Sequence, residues 1–437
     1  MASKAKAFTP PLFYDLAIRS YQAGIRLASL WNAKAGRWVA GRRGVWAKIE
    51  KEASALEGPV CWMHCSSAGE FEQGKPVLDA LKAARPEVRV VVTFWSPSGF
   101  EVHSANPALD AVWYLPGDSR TESRRLFEVF KPDFGVFVKY DLWLNTLSAA
   151  QKAGVPLYLV SAHFRADQIF FRQNPVAGWF RRGLNLFEEI FCQDEQSIRR
   201  LEEIGVKASL APDTRFDRVL SIKENLDSAE LSGVKQKQLE QIEAFSSGHQ
   251  TMVVGSSWLA DEELLAEWAS SKLPSDWKLI LVPHETDEAH LGKLGALLDR
   301  IKLEYGRLSS QSKVPGQILI VDAHGLLSRI YRLADLAYVG GGFGEAVHNT
   351  LEPAAYGIPV IFGPNNSKFL EIQGLKQSGA GIEIRSQEDL NGTLDLLISD
   401  DNKRRALGAI AGSFVRDRSG GTETIVKSLL PHLPQSS

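Results

Sequence analysis

Two successive series of short apolar segments constrain the fold of this chain more than any other feature. Each segment is rich in β-branched or aromatic residues and precedes a helix-like stretch, the pattern of parallel strands covered by helices on both faces. We predict strands at Val60–Met63, Val88–Phe94, Val112–Leu115, Phe134–Val138, Leu157–Ser161 and Ile190–Cys192, and again at Thr251–Gly255, Lys278–Val282, Ile318–Val321, Leu336–Val339, Pro359–Phe362 and Ile382–Ile384. Helices are predicted at Asp261–Ser270 and Glu285–Ile301. The fold class is therefore α/β, with two Rossmann-like domains.

The chain length supports the same division. A single core usually stops growing before 437 residues, so two domains are expected. A charged stretch with few large apolar residues separates the two strand series. We therefore predict an N-terminal domain at 51–217, a linker at 218–250 and a C-terminal domain at 251–437. Because ligands bind outside the carboxyl ends of strands in such sheets, we expect a cleft between the domains.

Residues 1–50 form a basic, tryptophan-bearing segment in which Asp15 and Glu50 are the only acids. Asp15, Arg19 and Arg26 interrupt its apolar residues too often for a membrane-spanning helix. An amphipathic basic segment can instead lie in the headgroup region of an anionic membrane surface. We predict such a membrane-associating helix, and the alternative is a helix docked on its own domain.

Overall charge and cysteine content exclude other classes. A net charge of −2 gives no reason to expect nucleic acid as a partner. Three cysteines without a CxxC pair or a secretory pattern indicate the reducing, cytosolic side of a membrane. His64 lies between Cys61 and Cys65, but Cys61 falls inside a predicted strand. We therefore interpret these thiols as buried structural residues and predict no metal site.

The segment 64–72 follows the first predicted strand and opens a helix. Ser66, Ser67 and Gly69 allow close backbone approach where free N–H groups favour an anion or a reacting oxygen. Glu70 could there accept the proton of an attacking hydroxyl, a step that typically contributes about 10²–10⁴-fold. The alternative is that Glu70 only stabilises the N-terminus of the helix.

Further polar residues follow later strands of the first series. Asp141 could be a second active-site carboxylate, or an ordinary helix N-cap. His163 and Arg165 are two cations that suit an anionic substrate, although a surface salt bridge is the commoner role.

The second series carries signals for a nucleotide. A glycine-rich run, Gly340–Gly344, follows one predicted strand and precedes the segment 348–354, where a helix begins. Glycines let a phosphate approach the backbone, and Glu352 could accept hydrogen bonds from ribose hydroxyls. The alternative is a tight turn with packing glycines. A GxxxxGK[ST] loop and GxGxxG spacing are both absent, which disfavours P-loop hydrolysis and NAD binding.

Several of these segments together resemble one enzyme family. They are Trp62–Glu70, Asp141–Asn145, Ser161–Arg165, Thr214–Arg218 and Gly340–Pro353. They are similar to segments of the transferases of 3-deoxy-D-manno-octulosonic acid (Kdo), which are glycosyltransferases of the GT-B class. The resemblance implies inverting transfer of Kdo from CMP-Kdo to lipid A precursor (lipid IVA) in lipopolysaccharide assembly, at the cytoplasmic face of the inner membrane.

The resemblance also implies roles for individual residues. Glu70 would be the catalytic base, and Asp141 would stand at the second catalytic carboxylate. CMP contacts would come from Pro283, His284, His324, Gly325, Leu326, Asn349, Thr350, Leu351 and Glu352. It implies no cofactor beyond CMP-Kdo as donor substrate, and no metal.

Two departures from the family pattern affect these roles. The family usually has Glu-x-Trp-Pro-Asn where this chain has a shorter carboxylate at Asp141 and Leu144 in place of proline. It commonly has Pro-Arg where this chain has His284, so a permanent cation is replaced by a titratable one. We therefore hypothesise pH-sensitive CMP binding, which CMP titrations of native and His284→Arg protein would test; equal pH profiles would remove the idea.

Two other functions remain open at this point. One is another GT-B sugar-nucleotide enzyme, either an epimerase or a transferase of UDP-sugars, which binding assays with CMP and UDP would distinguish. The other is a non-catalytic membrane scaffold. A Glu70→Ala variant separates that function, since a catalyst would lose turnover while it keeps CMP binding.

Overall fold

The chain folds as two compact units. The computed structural model describes residues 8–139, 141–225, 233–310 and 316–433. The first unit extends to Asp217 and includes the chain again from Ser419, and the second unit comprises Arg218–Arg418. The sequence analysis instead predicts the residues from Ser419 onward as part of the C-terminal domain, 251–437.

Each unit contains one seven-stranded sheet within the described residues. The strands of the first unit are β1 (Val60–Cys65), β2 (Arg89–Phe94), β3 (Ala111–Tyr114), β4 (Phe134–Val138), β5 (Leu157–Ala162), β6 (Glu189–Cys192) and β7 (Ser209–Leu210). Those of the second unit are β8 (Gln250–Ser257), β9 (Trp277–Pro283), β10 (Tyr305–Arg307), β11 (Ile318–Ile320), β12 (Leu336–Val339), β13 (Val360–Phe362) and β14 (Gly381–Glu383).

The helices alternate with these strands along most of the chain. In order they are α1 (Leu12–Ala28), α2 (Ala33–Gly41), α3 (Val45–Ala53), α4 (Ala68–Ala84), α5 (Pro97–His103), α6 (Arg120–Val129), α7 (Leu144–Ala153), α8 (Pro175–Leu184), α9 (Glu195–Glu202), α10 (Thr214–Asn225), α11 (Gly233–Ser246), α12 (Leu259–Lys272), α13 (Glu288–Arg300), α14 (Leu327–Ile330), α15 (Leu351–Ala355), α16 (Leu370–Gln377), α17 (Gln387–Ser399), α18 (Asp401–Arg416) and α19 (Gly421–Leu429).

Both sheets are parallel and doubly wound. The first has the order β3-β2-β1-β4-β5-β6-β7, and the second has β10-β11-β9-β8-β12-β13-β14. Every paired strand in them runs parallel to its neighbour. Apart from one edge strand each, both follow the 3-2-1-4-5-6 order of Rossmann sheets. The predicted α/β class with two Rossmann-like domains is therefore confirmed.

Each of the twelve predicted strands overlaps an observed one, but β7 and β10 were missed. Both strands lie at the edge of a sheet and have only two or three residues. Edge strands are covered less by helices, so they do not need the continuous apolar run that identifies a central strand. The stretch predicted as a linker contains the end of α10 and all of α11, and residues 226–232 lie outside the described part.

The core explains why the end of the chain belongs to the first unit. One face of the first sheet packs Met63 and Val92 against Phe71 of α4, and Ile425 and Leu429 of α19 join the same apolar cluster. These two α19 side chains are almost fully buried. Because α19 completes the cover of the first sheet, its membership could not be read from its place along the chain.

Helix α1 has two different faces. Tyr14 and Ile18 are buried against the first unit, and the Tyr14 hydroxyl donates to Asp118 Oδ2 at 2.7 Å. On other sides of the helix, Leu12 and Phe13 are 73% and 76% exposed. The alternative of a helix docked on its own domain therefore holds for one face of α1 only. Within the described ranges, no helix combines the length and apolar character needed to cross a bilayer.

Candidate active site

The first sheet reverses its winding between β1 and β4. Ligands of such sheets bind outside the carboxyl ends of the strands at this switch point. The segment after β1 enters α4, and the segment after β4 begins with Lys139, which has a left-handed backbone (φ 67°). Strained residues of this kind concentrate at functional sites. Glu70 and Asp141 follow these two strands, so both belong to the switch point.

Ser66 links the two carboxylates directly. Its backbone N–H donates to Glu70 Oε2, and its hydroxyl donates to Asp141 Oδ2. One residue therefore fixes both carboxylates. The structure brings together the two residues that the sequence predicted as catalytic.

Asp141 is held as an anion. Its Oδ2 also accepts from His64 Nε2 and from Trp143 Nε1, each at 2.9 Å. Burial opposes the charged form, but the hydrogen bonds from His64, Ser66 and Trp143 outweigh it and hold the pKa of Asp141 below its usual range. Helix α7 begins later, with Trp143 at its N-cap position, so Asp141 is not the N-cap.

The ionised Asp141 determines the tautomer of His64. Because the carboxylate cannot donate, the His64 Nε2 that faces it must carry the proton. The other ring nitrogen, Nδ1, lies 2.9 Å from Thr93 Oγ1. Trp143 Nε1 is also 3.2 Å from His64 Nε2. Because His64 Nε2 carries a proton, it cannot accept, and the Trp143 N–H donates to the Asp141 carboxylate instead.

Glu70 has the opposite electrostatic behaviour. Burial raises its pKa, the charge of Asp141 raises it further, and the Ser66 N–H and the charge of Lys139 only partly compensate. Two carboxylates whose pKa values are pushed apart form the usual arrangement of a base beside a fixed anion. Glu70 also lies in the first turn of α4, so the helix-stabilising role and the base role are compatible.

The sequence segments predicted for this site contain His64 and Trp143, but sequence reasoning assigned no role to them and did not include Thr93. His64 is fully buried and stands opposite Thr93 in the β1–β2 register. A polar pair inside two apolar strands was the available signal. Cys61 and Cys65 are buried free thiols, and burial raises the pKa of both.

The two basic residues predicted after β5 contact carboxylates instead of lining an open anion site. His163 Nδ1 lies 2.8 Å from Asp194 Oδ2, and Arg165 Nε lies 3.3 Å from Asp167 Oδ1. These pairs match the salt-bridge alternative.

The second sheet has an equivalent switch point between β8 and β12. The predicted nucleotide residues follow β9, β11 and β12, so all lie at the carboxyl edge of this sheet. Pro283 ends β9 and is buried, whereas His284 is exposed. His324 Nε2 lies 2.8 Å from Thr286 Oγ1, which joins the segment after β11 to the segment after β9. Gly325 has φ 79°, and Leu326 is buried beside it.

The segment 349–352 forms a closed turn at the start of α15. Asn349 Oδ1 accepts from the Leu351 N–H, and its Nδ2 donates to Glu352 Oε1, each at 3.0 Å. Ser328 donates to the other Glu352 oxygen at 2.8 Å. Burial raises the pKa of Glu352 despite these donors. Thr350 is buried in the same turn.

The first three glycines of the run 340–344 have packing roles. A Cβ on Gly340 would lie 2.4 Å from the Ser256 carbonyl oxygen, and one on Gly342 would lie 2.6 Å from Gly363 Cα. Gly341 needs its left-handed backbone, φ 90°. The packing alternative therefore explains these three residues.

Comparison with known proteins gives a consistent result. Residues 38–218 match the model of a family described as 3-deoxy-D-manno-octulosonic-acid transferase (kdotransferase). The chain is 30% identical to a 3-deoxy-D-manno-octulosonic acid transferase of Chlamydia trachomatis serovar D, over 82% of each chain. It is 28% identical to a protein of the same name from Rickettsia bellii, over 78% of this chain and 80% of the relative.

A solved structure shows the same fold at low sequence identity. The crystal structure of UDP-GlcNAc 2-epimerase from Neisseria meningitidis bound to UDP-GlcNAc has a TM-score of 0.60, with 14% identity. It covers 86% of this chain and all of the epimerase chain. At that identity the likeness concerns the fold alone.

Proposed function

The chain belongs to the 3-deoxy-D-manno-octulosonic acid transferase family of glycosyltransferases, and we propose that it transfers Kdo from CMP-Kdo to lipid A precursor with inversion. The observation that carries this proposal is the Glu70–Ser66–Asp141 arrangement at the switch point of the first sheet. It supplies a base whose pKa is raised, next to an anion that is held by three donors.

The proposed reaction assigns Glu70 the proton transfer. Its carboxylate takes the proton of an acceptor sugar hydroxyl while that oxygen forms a bond to the anomeric carbon of Kdo. The bond from this carbon to the CMP phosphate breaks on the opposite face, and its electron pair leaves with CMP. A base works best when its pKa lies near the working pH, so the raised pKa of Glu70 suits this step.

The second unit is proposed to bind the CMP portion. Support comes from the three adjoining turns at the carboxyl edge of its sheet, which are the usual place for a nucleotide. His284 and His324 are exposed there and can meet a phosphate. Glu352 offers carboxylate oxygens for ribose hydroxyls, and Asn349 orients one of them.

The acceptor is an amphipathic lipid, so we extend the proposal to the membrane surface. Leu12, Phe13 and Leu16 are 60% or more exposed on α1, and Leu30 and Trp31 beyond it are above 70%. Exposed cations lie near these apolar groups, among them Arg19, Arg26, Lys34 and Arg37. An exposed apolar patch with basic residues suits an anionic leaflet. We propose peripheral binding at the cytoplasmic face of the inner membrane.

A direct assay tests the proposed reaction. The full-length protein is incubated with lipid A precursor and a CMP-Kdo generating system, and the lipid is analysed by mass spectrometry. We expect a mass increase of one or more Kdo residues and release of CMP. An unchanged lipid with CMP-Kdo, or transfer from UDP-sugars alone, would refute the proposal. A Glu70→Ala protein that still binds CMP provides the inactive control.

A further inference from the structure

Three aromatic rings meet at the switch point of the second sheet. Trp258 directly follows β8, His284 directly follows β9, and His348 lies in the segment after β12. Family resemblance placed His284 at the nucleotide, but neither Trp258 nor His348 was assigned a role from the sequence.

Trp258 and His348 share one plane. Their rings are inclined by only 8°, and the Trp258 Nε1–H donates to His348 Nε2 at 2.9 Å. Because this hydrogen bond joins the edges of two nearly parallel rings, the two rings are coplanar, and their centroids are 6.4 Å apart. The His284 ring lies over both members, at 4.8 Å from Trp258 and 4.4 Å from His348, inclined by 24° to each. Trp258 and His348 thus form a flat floor beneath His284, here called the ring floor.

The hydrogen bond within the ring floor keeps His348 neutral. An indole N–H can only donate, so His348 Nε2 must accept and cannot carry a proton. Burial lowers the pKa of His348 to about 4, and the charge of His284 contributes to the shift. The covered face of His284 therefore meets a neutral imidazole and the indole ring.

The backbone around the ring floor is fixed by a single buried carboxylate. Asp261 Oδ2 accepts from the Trp258 N–H at 3.0 Å and from the Gly341 N–H at 2.9 Å. Its Oδ1 accepts from the Tyr338 hydroxyl at 2.8 Å. Gly341 lies against the His348 ring, since a Cβ there would come within 2.8 Å of His348 Cδ2. Asp261 therefore ties the segments that carry both floor residues.

His284 itself is anchored by its main chain. Its N–H donates to the Ser257 carbonyl oxygen at 2.9 Å, which holds the end of β9 beside the end of β8. His284 is an exposed residue although one face of its ring is covered. The remaining face and edge of the imidazole are therefore those available to a ligand.

We propose that Trp258 and His348 are positioning residues that hold the His284 imidazole as a hydrogen-bonding contact for the phosphate of a nucleoside monophosphate or its sugar ester. The inference rests on the proposed function and adds two residues to its donor site. A ring fixed on one face loses less freedom when it binds, so the floor increases affinity without touching the ligand.

A double-mutant cycle tests the positioning role. The dissociation constant of CMP is measured by calorimetry for the full-length wild-type protein, Trp258→Ala, His284→Ala and the double variant. We expect Trp258→Ala to weaken CMP binding by about five- to tenfold in the wild-type background and by less than about twofold when His284 is absent. Equal losses in both backgrounds would overturn the proposal, because a general structural defect acts without His284.

A control variant and a second substitution of Trp258 distinguish a positioning role from a general structural defect. His249→Ala is the matched control, since His249 is exposed at the opposite, amino edge of the same sheet and should leave CMP binding unchanged. Trp258→Phe retains a ring but no N–H donor, so the cycle is repeated with it if the melting temperature of Trp258→Ala falls. If wild-type protein binds no CMP, the proposed function itself fails. If it binds CMP and the effects are additive, only the ring-floor inference fails.

Discussion

Asp141 Oδ2 lies 2.9 Å from His64 Nε2, and the Ser66 hydroxyl that binds the same oxygen belongs to the residue whose N–H holds Glu70. Hydrogen bonds from His64, Ser66 and Trp143 hold the pKa of Asp141 low, whereas burial and the charge of Asp141 raise the pKa of Glu70. The charge of Asp141 is therefore fixed while that of Glu70 is free to change. This division of roles leads to the first two predictions.

Replacing Glu70 by Gln should strongly lower turnover without unfolding the protein. The amide keeps an oxygen that can accept the Ser66 N–H, but it cannot take a proton from the acceptor. We expect kcat to fall by about 10²–10⁴-fold, with CMP affinity and melting temperature near wild type. Glu57→Gln is the matched control, because Glu57 is exposed before the amino end of β1. Retained turnover would exclude Glu70 as the base.

Replacing Asp141 by Asn should move the acidic limb of the kcat–pH profile to lower pH. The charge of Asp141 helps to raise the pKa of Glu70, so a neutral amide lets that pKa fall and the base stays ionised in more acidic solution. The maximal rate should also fall, since Trp143 and His64 lose a charged acceptor. Steady-state rates between about pH 4 and pH 8 measure both effects. An unmoved limb would show that the two groups are not coupled.

Asp118 should make stability depend on pH. Burial raises its pKa from 3.8 to about 6, against hydrogen bonds from Tyr14, Thr146 and Asn145. The native state therefore binds more protons than the unfolded chain between about pH 4 and pH 6, and the free energy of unfolding falls as pH rises through this window. The shift corresponds to about 3 kcal/mol.

Denaturant titrations at several pH values measure this slope. We expect the Asp118→Asn variant to lose the part of the pH dependence of the unfolding free energy that comes from Asp118. Asp110→Asn should change the slope in the opposite sense, because its pKa is lowered: the Val90 N–H and Lys82 outweigh the effect of burial. Identical slopes for wild type and Asp118→Asn would contradict the prediction.

Removing the apolar side chains of α1 should weaken membrane binding. We expect Leu12→Ser, Phe13→Ser and Leu16→Ser together to lower partitioning onto phosphatidylglycerol vesicles by at least about tenfold, since each side chain loses apolar burial. Val102→Ser with Val234→Ser is the matched control, because these residues are 68% and 70% exposed elsewhere. Vesicle co-sedimentation measures the effect. Equal partitioning of both variants would show that the apolar side chains of α1 do not bind the membrane.

The fold could be predicted from the sequence because central parallel strands need apolar residues on both faces. All such strands, from β1 to β13, stand out as continuous apolar runs. The edge strands β7 and β10, and the membership of α19 in the first unit, were not predicted because they depend on neighbours that are remote in sequence. The positions of Glu70 and Asp141 were predictable for the same reason, since they directly follow central strands.

The partners of these carboxylates were harder to predict. His64 meets Thr93 through strand register, and it meets Asp141 because β1 and β4 are neighbours although 77 residues separate the two side chains. In the second unit, Trp258 and His348 are 90 positions apart. Periodicity describes which face of an element is buried, but it does not identify which side chains meet across a sheet.

Tyr14 of α1 and the start of α7 share one buried carboxylate, Asp118. The Tyr14 hydroxyl donates to it and accepts from the Leu144 N–H, while the Asn145 and Thr146 N–H groups donate to Asp118. Trimming α1 to obtain a more tractable protein would therefore loosen the first turn of the helix that follows Asp141. A truncated protein could be more soluble and yet have a disordered active site. Its inactivity would therefore say nothing about whether lipid is required.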